Sequence, residues 1–462
     1  MRPGESAVVI LTLLILGIAL KNKNVRNNFL RIFSLWIILL WTVQILVEGF
    51  RWQSWGLLAG SVLVLAGLRF RKAVFYWIAI LSAMLSVFLM YIFPIPQAVK
   101  TSGAYSVGTV TFHFVDSERK EIYADEPGID REFVVQVWYP AKQGTGTQTK
   151  WMPNIAQAGP SLAKGLGLPE FVLGHLKYAL SNAEENAEPI QIDNGYPILV
   201  FSHGWTGFKE QNSALMEELA SQGFVVVSIN HTYGSILTVF PDGRTVSLNP
   251  DALPSGVSLE EYDVASNVLA KQWAEDIAYT IYEFKTIKLN EDLFLSEMID
   301  FKRMGILGHS MGGAAALEFC YENTDCKAVF AMDPWLEAVS KEVWLNGIEQ
   351  PALFLLSENW DTLDRPERNY TYTNALVQNS SGEILIATVL GTKHLDFTML
   401  PMLSPVTEII GLKGPIDRAR ILEIINTYAV TFFDFVFDNA SPSPETLEEF
   451  PELLFGEIPA GS

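Results

Sequence analysis

Hydrophobic positions follow two different patterns along this chain. Before Pro94 the apolar residues form four segments with almost no charge, at 7–20, 29–47, 55–68 and 73–93. A membrane-spanning helix needs about 20 apolar residues, a length that the second and fourth segments reach. The first and third segments have 14 residues each, so crossing requires flanking residues and Lys or Arg side chains that extend to the interface. Residues 1–96 are therefore predicted to be a transmembrane anchor of about four helices.

Basic residues predict how this anchor is oriented. One group, between the first and second segments, consists of Lys21, Lys23, Arg26 and Arg31. The other, between the third and fourth segments, consists of Arg69, Arg71 and Lys72. Basic loops stay on the cytoplasmic side of a membrane. Both groups are cytoplasmic if four helices span and the N-terminus lies outside. The sequence thus predicts a multi-pass protein of the cell membrane with an extracytoplasmic body, and no buried acid or paired charge is expected within the helices.

From about Gly103 onward, short apolar runs alternate with helical patterns. The strand-like runs are 106–115, 132–139, 197–202, 224–230, 304–307, 328–332, 352–356 and 383–390. The helical patterns are 211–221, 259–286, 311–321, 365–378 and 416–437. Short buried strands separated by helices are typical of a mostly parallel sheet with helices on both faces. Residues 97–462 are predicted to be one α/β domain, in which the long interval 141–195 forms a lid or a helix packed on the sheet edge.

Charge separates the same two regions and narrows the range of partners. Residues 1–96 carry nine Lys and Arg against two acids, whereas the rest of the chain carries 23 against 50. A body this acidic repels nucleic acid, so no nucleic-acid partner is expected. Cys320 and Cys326, with five residues between them, form a disulfide in an oxidising compartment or remain two thiols. Two cysteines without a nearby histidine make a poor metal site, and neither metal nor cofactor is indicated.

The segment Gly308–Gly312 reads G-H-S-M-G and carries the strongest chemical signal in the chain. An apolar run precedes it and a helical run of small residues follows it, which is the strand, tight turn and helix of a nucleophile elbow. The turn is sharp, so the residues that flank the serine must be small. Ser310 is therefore predicted to be an exposed catalytic nucleophile.

A serine hydroxyl needs a base, which is usually a histidine oriented by a carboxylate. In the fold that carries this elbow, the acid and then the histidine follow the serine along the chain. Of six histidines only His394 follows Ser310, in a loop after the last predicted strand. Between Ser310 and His394 along the chain, Asp333 and Asp361 each lie at the end of a predicted strand. Both remain candidates for the acid. Asp364 is a weaker candidate, because it begins a helix that it can cap.

The oxyanion of an acyl-transfer intermediate needs two backbone N–H donors. One is expected from Met311, directly after the nucleophile, and the other from the loop after the 197–202 strand. That loop reads S-H-G-W-T-G from Ser202, and Trp205 is the expected donor. His231 ends the next strand at the same edge of the sheet and is expected to pack rather than react.

Several segments together resemble the platelet-activating factor acetylhydrolase family, plasma type, of the α/β-hydrolases. They are Tyr196–Gly204, Leu219–Phe224, Gly308–Gly313, Asp333–Trp335 and the loop of His394. The resemblance covers about residues 100–440 and is firm over 195–400. It implies an α/β-hydrolase fold and favours Asp333 as the acid. Polyester- and cutin-degrading hydrolases share the G-H-S-M-G-G elbow but keep their acid at the position of Asp361, and four membrane segments depart from both groups.

The expected function is that of a membrane-anchored serine ester hydrolase with Ser310, His394 and Asp333 as its triad. The resemblance implies a lipid substrate, namely a phospholipid with a short or oxidised acyl chain. Three alternatives stay open: a polyester, cutin or general carboxylesterase, an acyltransferase with the same triad, and a non-catalytic binding module on this fold. Neither the acyl length nor the alcohol of the substrate follows from the sequence.

Overall fold

The computed structural model describes residues 2–21, 27–286, 295–359, 366–438 and 450–456. Four helices come first: α1 (Pro3–Lys21), α2 (Asn27–Glu48), α3 (Trp55–Phe70) and α4 (Ala73–Ile92). Among the described helices, α4 alone is long and apolar enough to cross a membrane, while the apolar parts of α1 and α2, Pro3–Ile18 and Leu35–Glu48, are shorter. The expectation of four membrane-spanning helices is thus supported for one helix, because the described apolar stretches of α1 and α2 are too short and α3 has only 16 residues.

The ends of these helices carry buried ion pairs, contrary to the sequence-based expectation. Glu5 in α1 is buried and accepts hydrogen bonds from the Arg51 guanidinium at 2.7 Å and from Arg2 at 2.7 Å. Arg2 also lies 3.8 Å from the carboxylate of Glu48 at the end of α2. Arg51 is far from Glu5 in sequence, so a pattern search along one segment does not reveal the pair.

One large sheet forms the body. Its strands are β1 (Ser106–Lys120), β2 (Asp130–Ala141), β3 (Thr147–Lys150), β4 (Leu180–Glu185), β5 (Tyr196–Ser202), β6 (Val225–Asn230), β9 (Ile299–His309), β10 (Cys326–Met332), β11 (Ala352–Asn359), β12 (Ile384–Lys393) and β13 (Leu453–Phe455). A separate hairpin pairs β7 (Leu237–Val239) with β8 (Thr245–Ser247).

The strand order is β13-β12-β11-β10-β9-β5-β6-β2-β1-β4-β3. The six central strands from β12 to β6 run parallel to one another. Strand β2 is antiparallel to β6 and to β1, and β13 is antiparallel to β12. The predicted mostly parallel α/β sheet is confirmed. The short edge strands β3 and β13 were not predicted, since three or four residues give little periodic signal.

Helices cover both faces of the sheet. In chain order they are α5 (Ile155–Gly165), α6 (Ser213–Gln222), α7 (Leu259–Thr286), α8 (Leu295–Met298), α9 (Met311–Glu322), α10 (Lys341–Asn346), α11 (Pro366–Asn379) and α12 (Arg418–Asp438). One buried cluster joins α7 and α9 to the sheet, and a second joins α6 and α12 to its other face. The parallel strands are largely apolar because both faces are covered.

The interval 141–195 contributes both to the sheet and to a cap above it. Strands β3 and β4 extend the sheet edge, whereas α5 and the 3₁₀ turn Val172–Tyr178 pack together in a third apolar cluster. The cap also contacts the ends of the first four helices: the Trp52 indole N–H donates to the Val172 carbonyl at 2.9 Å, and the Tyr178 hydroxyl donates to the Phe50 carbonyl at 2.8 Å. The cap therefore joins the N-terminal helices to the body.

Cys320 and Cys326 form a disulfide between the end of α9 and the start of β10. Of the two alternatives that the sequence left open, the structure contains the bridged one. The Cα atoms are 5.3 Å apart, within the range that a disulfide requires. The bridge closes the short connection between helix and strand.

Candidate active site

Ser310 occupies the turn between β9 and α9. Its backbone has φ 56° and ψ −120°, a conformation that non-glycine residues rarely adopt. The Ser310 N–H donates to the Met332 carbonyl at 3.0 Å, and the Ser310 carbonyl accepts from the Trp335 N–H at 3.0 Å. Gly312 lies so close to the carbonyl of Ser202 that an added Cβ would collide with it. Neighbouring strands thus hold the strained turn of a nucleophile elbow.

His394 and Asp333 meet at the carboxyl ends of β12 and β10, the two strands that flank β11 in the sheet. The His394 Nδ1 lies 3.0 Å from the Asp333 Oδ2. Asp333 is fully buried, and its two carboxylate oxygens also accept from the N–H and the hydroxyl of Ser357, each at 2.6 Å. A carboxylate accepts hydrogen bonds, so Nδ1 is the protonated nitrogen of His394, and Nε2 keeps its lone pair. The structure therefore pairs Asp333 with His394, whereas Asp361 and Asp364 lie outside the described residues.

A cavity of about 430 Å³ opens above this pair. Ser310, His394, His309 and Trp205 supply polar or aromatic groups to it. The rest of its wall is largely apolar and includes Trp151, Leu162, Leu166, Ile236, Met399, Leu400, Leu403 and Leu412. Leu162 lies in α5, and Leu166 is the first residue after that helix. The cap therefore forms part of the cavity wall. Small-ligand sites are typically apolar cavities of this size with a few polar groups.

The predicted oxyanion donors flank the nucleophile. Trp205 lines the cavity in the loop after β5, and Met311 is the first residue of α9 with a fully buried side chain. The Gly207 N–H donates a hydrogen bond to the Gly204 carbonyl at 2.8 Å, which closes a tight turn in this loop. Thr206, within the turn, has a positive φ of 63°. The structure brings Trp205, Ser310 and His394 to one cavity, and the backbone roles of Trp205 and Met311 stay predictions.

Comparison with known proteins identifies the family. Residues 93–248 and 267–440 match the model of "Platelet-activating factor acetylhydrolase, isoform II". The chain belongs to this family. It is 26% identical over 357 residues to a platelet-activating factor acetylhydrolase of Canis lupus familiaris, which covers 72% of this chain and 76% of the relative. It is 24% identical to a probable 1-alkyl-2-acetylglycerophosphocholine esterase of Arthroderma benhamiae, over 77% of this chain and 92% of the relative.

A solved structure supports the fold. The ferulic acid esterase from Streptomyces cinnamoneus superimposes with a TM-score of 0.63 at 22% identity, over 79% of this chain and all of that chain. The mostly parallel sheet with flanking helices is thus an α/β-hydrolase fold. As a member of the platelet-activating factor acetylhydrolase family, the chain is a carboxylic ester hydrolase.

A second Ser–His–Asp arrangement lies beneath the loop that follows β5, which carries the predicted oxyanion donor Trp205 and is called the oxyanion loop below. The His231 Nε2 is 2.9 Å from the Ser202 hydroxyl, and the His231 Nδ1 is 2.9 Å from the Asp276 Oδ2. All three residues are fully buried. His231 also stacks on Trp273, with ring centroids 4.2 Å apart. The expectation that His231 packs agrees with this burial, but no local sequence pattern indicates its partners.

The charge of this sealed set is balanced by arginines. Asp276 accepts from the guanidiniums of Arg131 at 2.5 Å and Arg119 at 2.9 Å. Burial alone would raise the pKa of Asp276, but Arg131, the His231 hydrogen bond and Arg119 outweigh it and hold this pKa far below its usual value. Burial, together with both guanidiniums, lowers the pKa of His231. Asp276 is therefore ionised and His231 neutral.

Sequence reasoning also missed Gln211, which lines the cavity between the oxyanion loop and the elbow. Its side-chain amide lies 3.1 Å from the Nδ1 of His309 and 3.3 Å from the backbone nitrogen of Gly204. A lone glutamine at the start of a helical pattern carries no sequence signal, since its partner His309 is 98 positions away.

Proposed function

We propose that this protein is a membrane-anchored serine esterase that cleaves carboxylic esters of lipids, in particular short or oxidised acyl chains on phospholipids. The observation that carries the proposal is the contact between His394 Nδ1 and Asp333 Oδ2, at 3.0 Å, beside a largely apolar cavity that Ser310 also lines. Membership of the acetylhydrolase family and the names of its relatives support the choice of substrate.

The mechanism follows from the protonation states of these groups. The Ser310 Oγ attacks the ester carbonyl carbon while the His394 Nε2 takes the hydroxyl proton. The Trp205 and Met311 N–H groups stabilise the oxyanion of the tetrahedral intermediate. The intermediate expels the alcohol, which receives the proton from His394. Water then attacks the acyl-enzyme with the same proton transfers and releases the acid and the free serine.

Asp333 has two functions in this scheme. It holds His394 in the tautomer that leaves Nε2 free to accept a proton, and its negative charge stabilises the imidazolium that forms. Ser357 donates two hydrogen bonds to Asp333, so the carboxylate is fixed in direction. A carboxylate buried without such donors would be costly to keep charged.

The proposed anchor consists of α1 to α4, with α4 as its strongest spanning helix. Apolar side chains on its surface are widely exposed, as Leu46 at 79% and Leu81 at 66% show. The C-terminal end of α4 adjoins the body, where the Ser404 hydroxyl donates to the Ile92 carbonyl at 2.7 Å. The basic residues Arg69, Arg71 and Lys72 lie at the opposite end of this helix, which supports an extracytoplasmic body.

The disulfide adds support for this location, because disulfides persist in oxidising compartments outside the cytoplasm. A reporter enzyme fused to the C-terminus tests the topology. We expect activity of a reporter that works only outside the cytoplasm, and a cytoplasmic signal would overturn the proposed orientation. Extraction with alkaline carbonate tests the anchor, since an integral protein stays with the membrane pellet.

The catalytic proposal is tested with a fluorophosphonate probe and a panel of esters. Wild type is expected to be labelled and to hydrolyse short p-nitrophenyl esters, whereas Ser310→Ala loses both. Phospholipids that differ only in the length of the sn-2 chain then define the acyl preference, and an added alcohol acceptor reveals acyl transfer. An unlabelled and inactive wild type would favour a non-catalytic binding module.

A further inference from the structure

A hydrogen-bonded chain behind the cavity links the three parts of the active site. Gln211 Oε1 lies 3.3 Å from the Gly204 nitrogen, and Gln211 Nε2 lies 3.1 Å from His309 Nδ1. The other ring nitrogen of His309, Nε2, lies 3.1 Å from the backbone carbonyl of His394. Gln211 is 7% exposed and His309 is 3% exposed, so water competes little for these contacts.

The proton positions in this chain are fixed by its ends. The His394 carbonyl can only accept, so His309 Nε2 carries the hydrogen. Burial holds the pKa of His309 well below its ordinary value, so the ring is neutral and Nδ1 accepts from the Gln211 amide. The Oε1 atom of Gln211 then accepts from the Gly204 N–H. All three bonds point in the same direction, an arrangement in which each bond polarises the next.

Each end of the chain adjoins a group that the proposed reaction needs. Gly204 directly precedes Trp205, His309 directly precedes Ser310, and the bonded carbonyl belongs to His394 itself. The rings of His309 and His394 also lie 4.5 Å apart, between centroids. We propose that Gln211 and His309 are positioning residues, which hold the oxyanion loop, the nucleophile turn and the catalytic histidine in register. The inference rests on the proposed function, since register matters only if these groups react together.

A second set of contacts from the same segment supports this role. The Met399 N–H donates to the Gln211 carbonyl at 3.0 Å, and the Asn212 amide donates to the Phe397 carbonyl at 2.7 Å. The turn that follows His394 is thereby attached to the segment that carries Gln211. Side chain and backbone of this segment thus restrain the histidine loop from two directions.

The test compares Gln211→Leu, His309→Phe and the double variant, with kcat counted per site titrated by the fluorophosphonate probe. Misplacing reacting groups by about 1 Å costs up to about 100-fold in rate, so each single variant is expected to lower kcat by about 10- to 100-fold. KM for a short p-nitrophenyl ester should stay within about threefold of the wild-type value. Gln211 and His309 both line the cavity, but Leu and Phe are similar to them in size and leave its shape nearly unchanged. The kcat of the double variant should be no lower than that of the less active single variant, because all three variants break the same hydrogen-bonded chain.

Gln136→Leu is the matched control. Gln136 is a buried glutamine in β2 that donates to the Thr109 hydroxyl at 3.1 Å, and it does not line the cavity. Its replacement should lower stability but leave kcat per titrated site unchanged. Equal kcat losses in Gln136→Leu and Gln211→Leu would show a general packing effect and overturn the inference.

Gln211→Glu keeps the test decisive if the leucine variant fails to fold. The carboxylate retains an acceptor for the Gly204 N–H but cannot donate to His309 Nδ1. A tenfold lower kcat is expected, and a kcat equal to that of wild type overturns the inference while leaving the proposed function intact. An unlabelled wild type would overturn the proposed function and this inference together.

Discussion

Among the described residues, two Ser–His–Asp arrangements can be compared, and one of them faces a cavity. In the sealed set, Ser202, His231 and Asp276 are fully buried, and both histidine contacts measure 2.9 Å. In the open set, His394 lies 3.0 Å from Asp333, and the histidine lines the cavity together with Ser310. Hydrogen-bond distances therefore do not distinguish a reactive triad from a structural one.

The backbone around the serine makes one difference. Ser310 sits at a strained turn with φ 56°, the backbone that presents a nucleophilic hydroxyl above the sheet in this fold, and it lines the cavity. Ser202 is the last residue of the strand β5, with neither strain nor an open space beside it. A substrate carbonyl can approach the first serine but cannot reach the second.

The partners of the two aspartates make the other difference. Asp333 is held by the neutral Ser357, so its charge is available to stabilise a protonated His394. Asp276 is already paired with Arg131 and Arg119, and those guanidiniums oppose protonation of His231. A base that resists protonation is poorly suited to take a proton from serine. We therefore expect the open set to perform the proposed chemistry and the sealed set to support the predicted oxyanion loop.

Removing each serine gives the largest expected contrast. Ser310→Ala should lower kcat by about a million-fold, as loss of the nucleophile does in serine hydrolases. Ser202→Ala should keep fluorophosphonate labelling and most of kcat, and should destabilise the fold by about 1–3 kcal/mol because the buried His231 Nε2 loses its partner. Labelling and p-nitrophenyl ester kinetics check the first part, and urea unfolding checks the second. Loss of labelling in a folded Ser202→Ala protein would contradict the comparison.

Replacing each aspartate with asparagine gives the next largest contrast. Asp333→Asn should lower kcat by about 10,000-fold with little loss of stability, because the wrong histidine tautomer is favoured. Asp276→Asn should instead reduce the free energy of unfolding by about 3–5 kcal/mol, since Arg131 and Arg119 both lose their ion pair with this buried carboxylate, and among the described residues Arg131 keeps only Glu121 as a counter-charge. Steady-state kinetics and urea unfolding of both variants separate the two effects.

Asp361→Asn completes this test, because its position lies outside the described residues. If Asp361→Asn lowers kcat more than Asp333→Asn does, then Asp333 is not the acid of the triad. Both variants are compared per titrated site, so that a loss of folded protein is not counted as a loss of chemistry.

The sequence predicts the open set well and the sealed set hardly at all. Ser310 lies in a contiguous motif, and His394 is the single histidine after it, so chain order alone pairs them. Asp333 and Asp361 both follow strands, so order could not separate them, and the family resemblance favoured Asp333. His231 and Asp276 are 45 positions apart, on a strand end and within α7. Their pairing depends on how that helix packs on the sheet, which no local pattern encodes.

For the N-terminal helices, the sequence predicts the helices themselves but not how they are placed. Their apolar segments predicted four helices at nearly the observed positions, because hydrophobic runs form local structure. Whether a helix spans a membrane depends on its length and its apolar character together, and among the described helices only α4 meets both conditions. Docking of Trp52 on the cap joins residues 120 positions apart and likewise has no sequence signature.

The smallest expected effect is on how the free energy of unfolding changes at acid pH. This pH dependence tests whether His231 is neutral in the folded protein. Its pKa is lowered in the folded protein, whereas the unfolded chain has the ordinary value of about 6.5. The unfolded state therefore binds more protons below pH about 6.5, and the stability that the neutral ring contributes is lost as pH falls from there. One such histidine contributes a slope of up to about 1.4 kcal/mol per pH unit. His231→Gln should flatten the fall in unfolding free energy by that amount, while Gln136→Leu keeps the wild-type slope. An unchanged slope in His231→Gln would mean that His231 binds its proton equally in both states, and the sealed set would then hold a charged histidine below pH about 6.5.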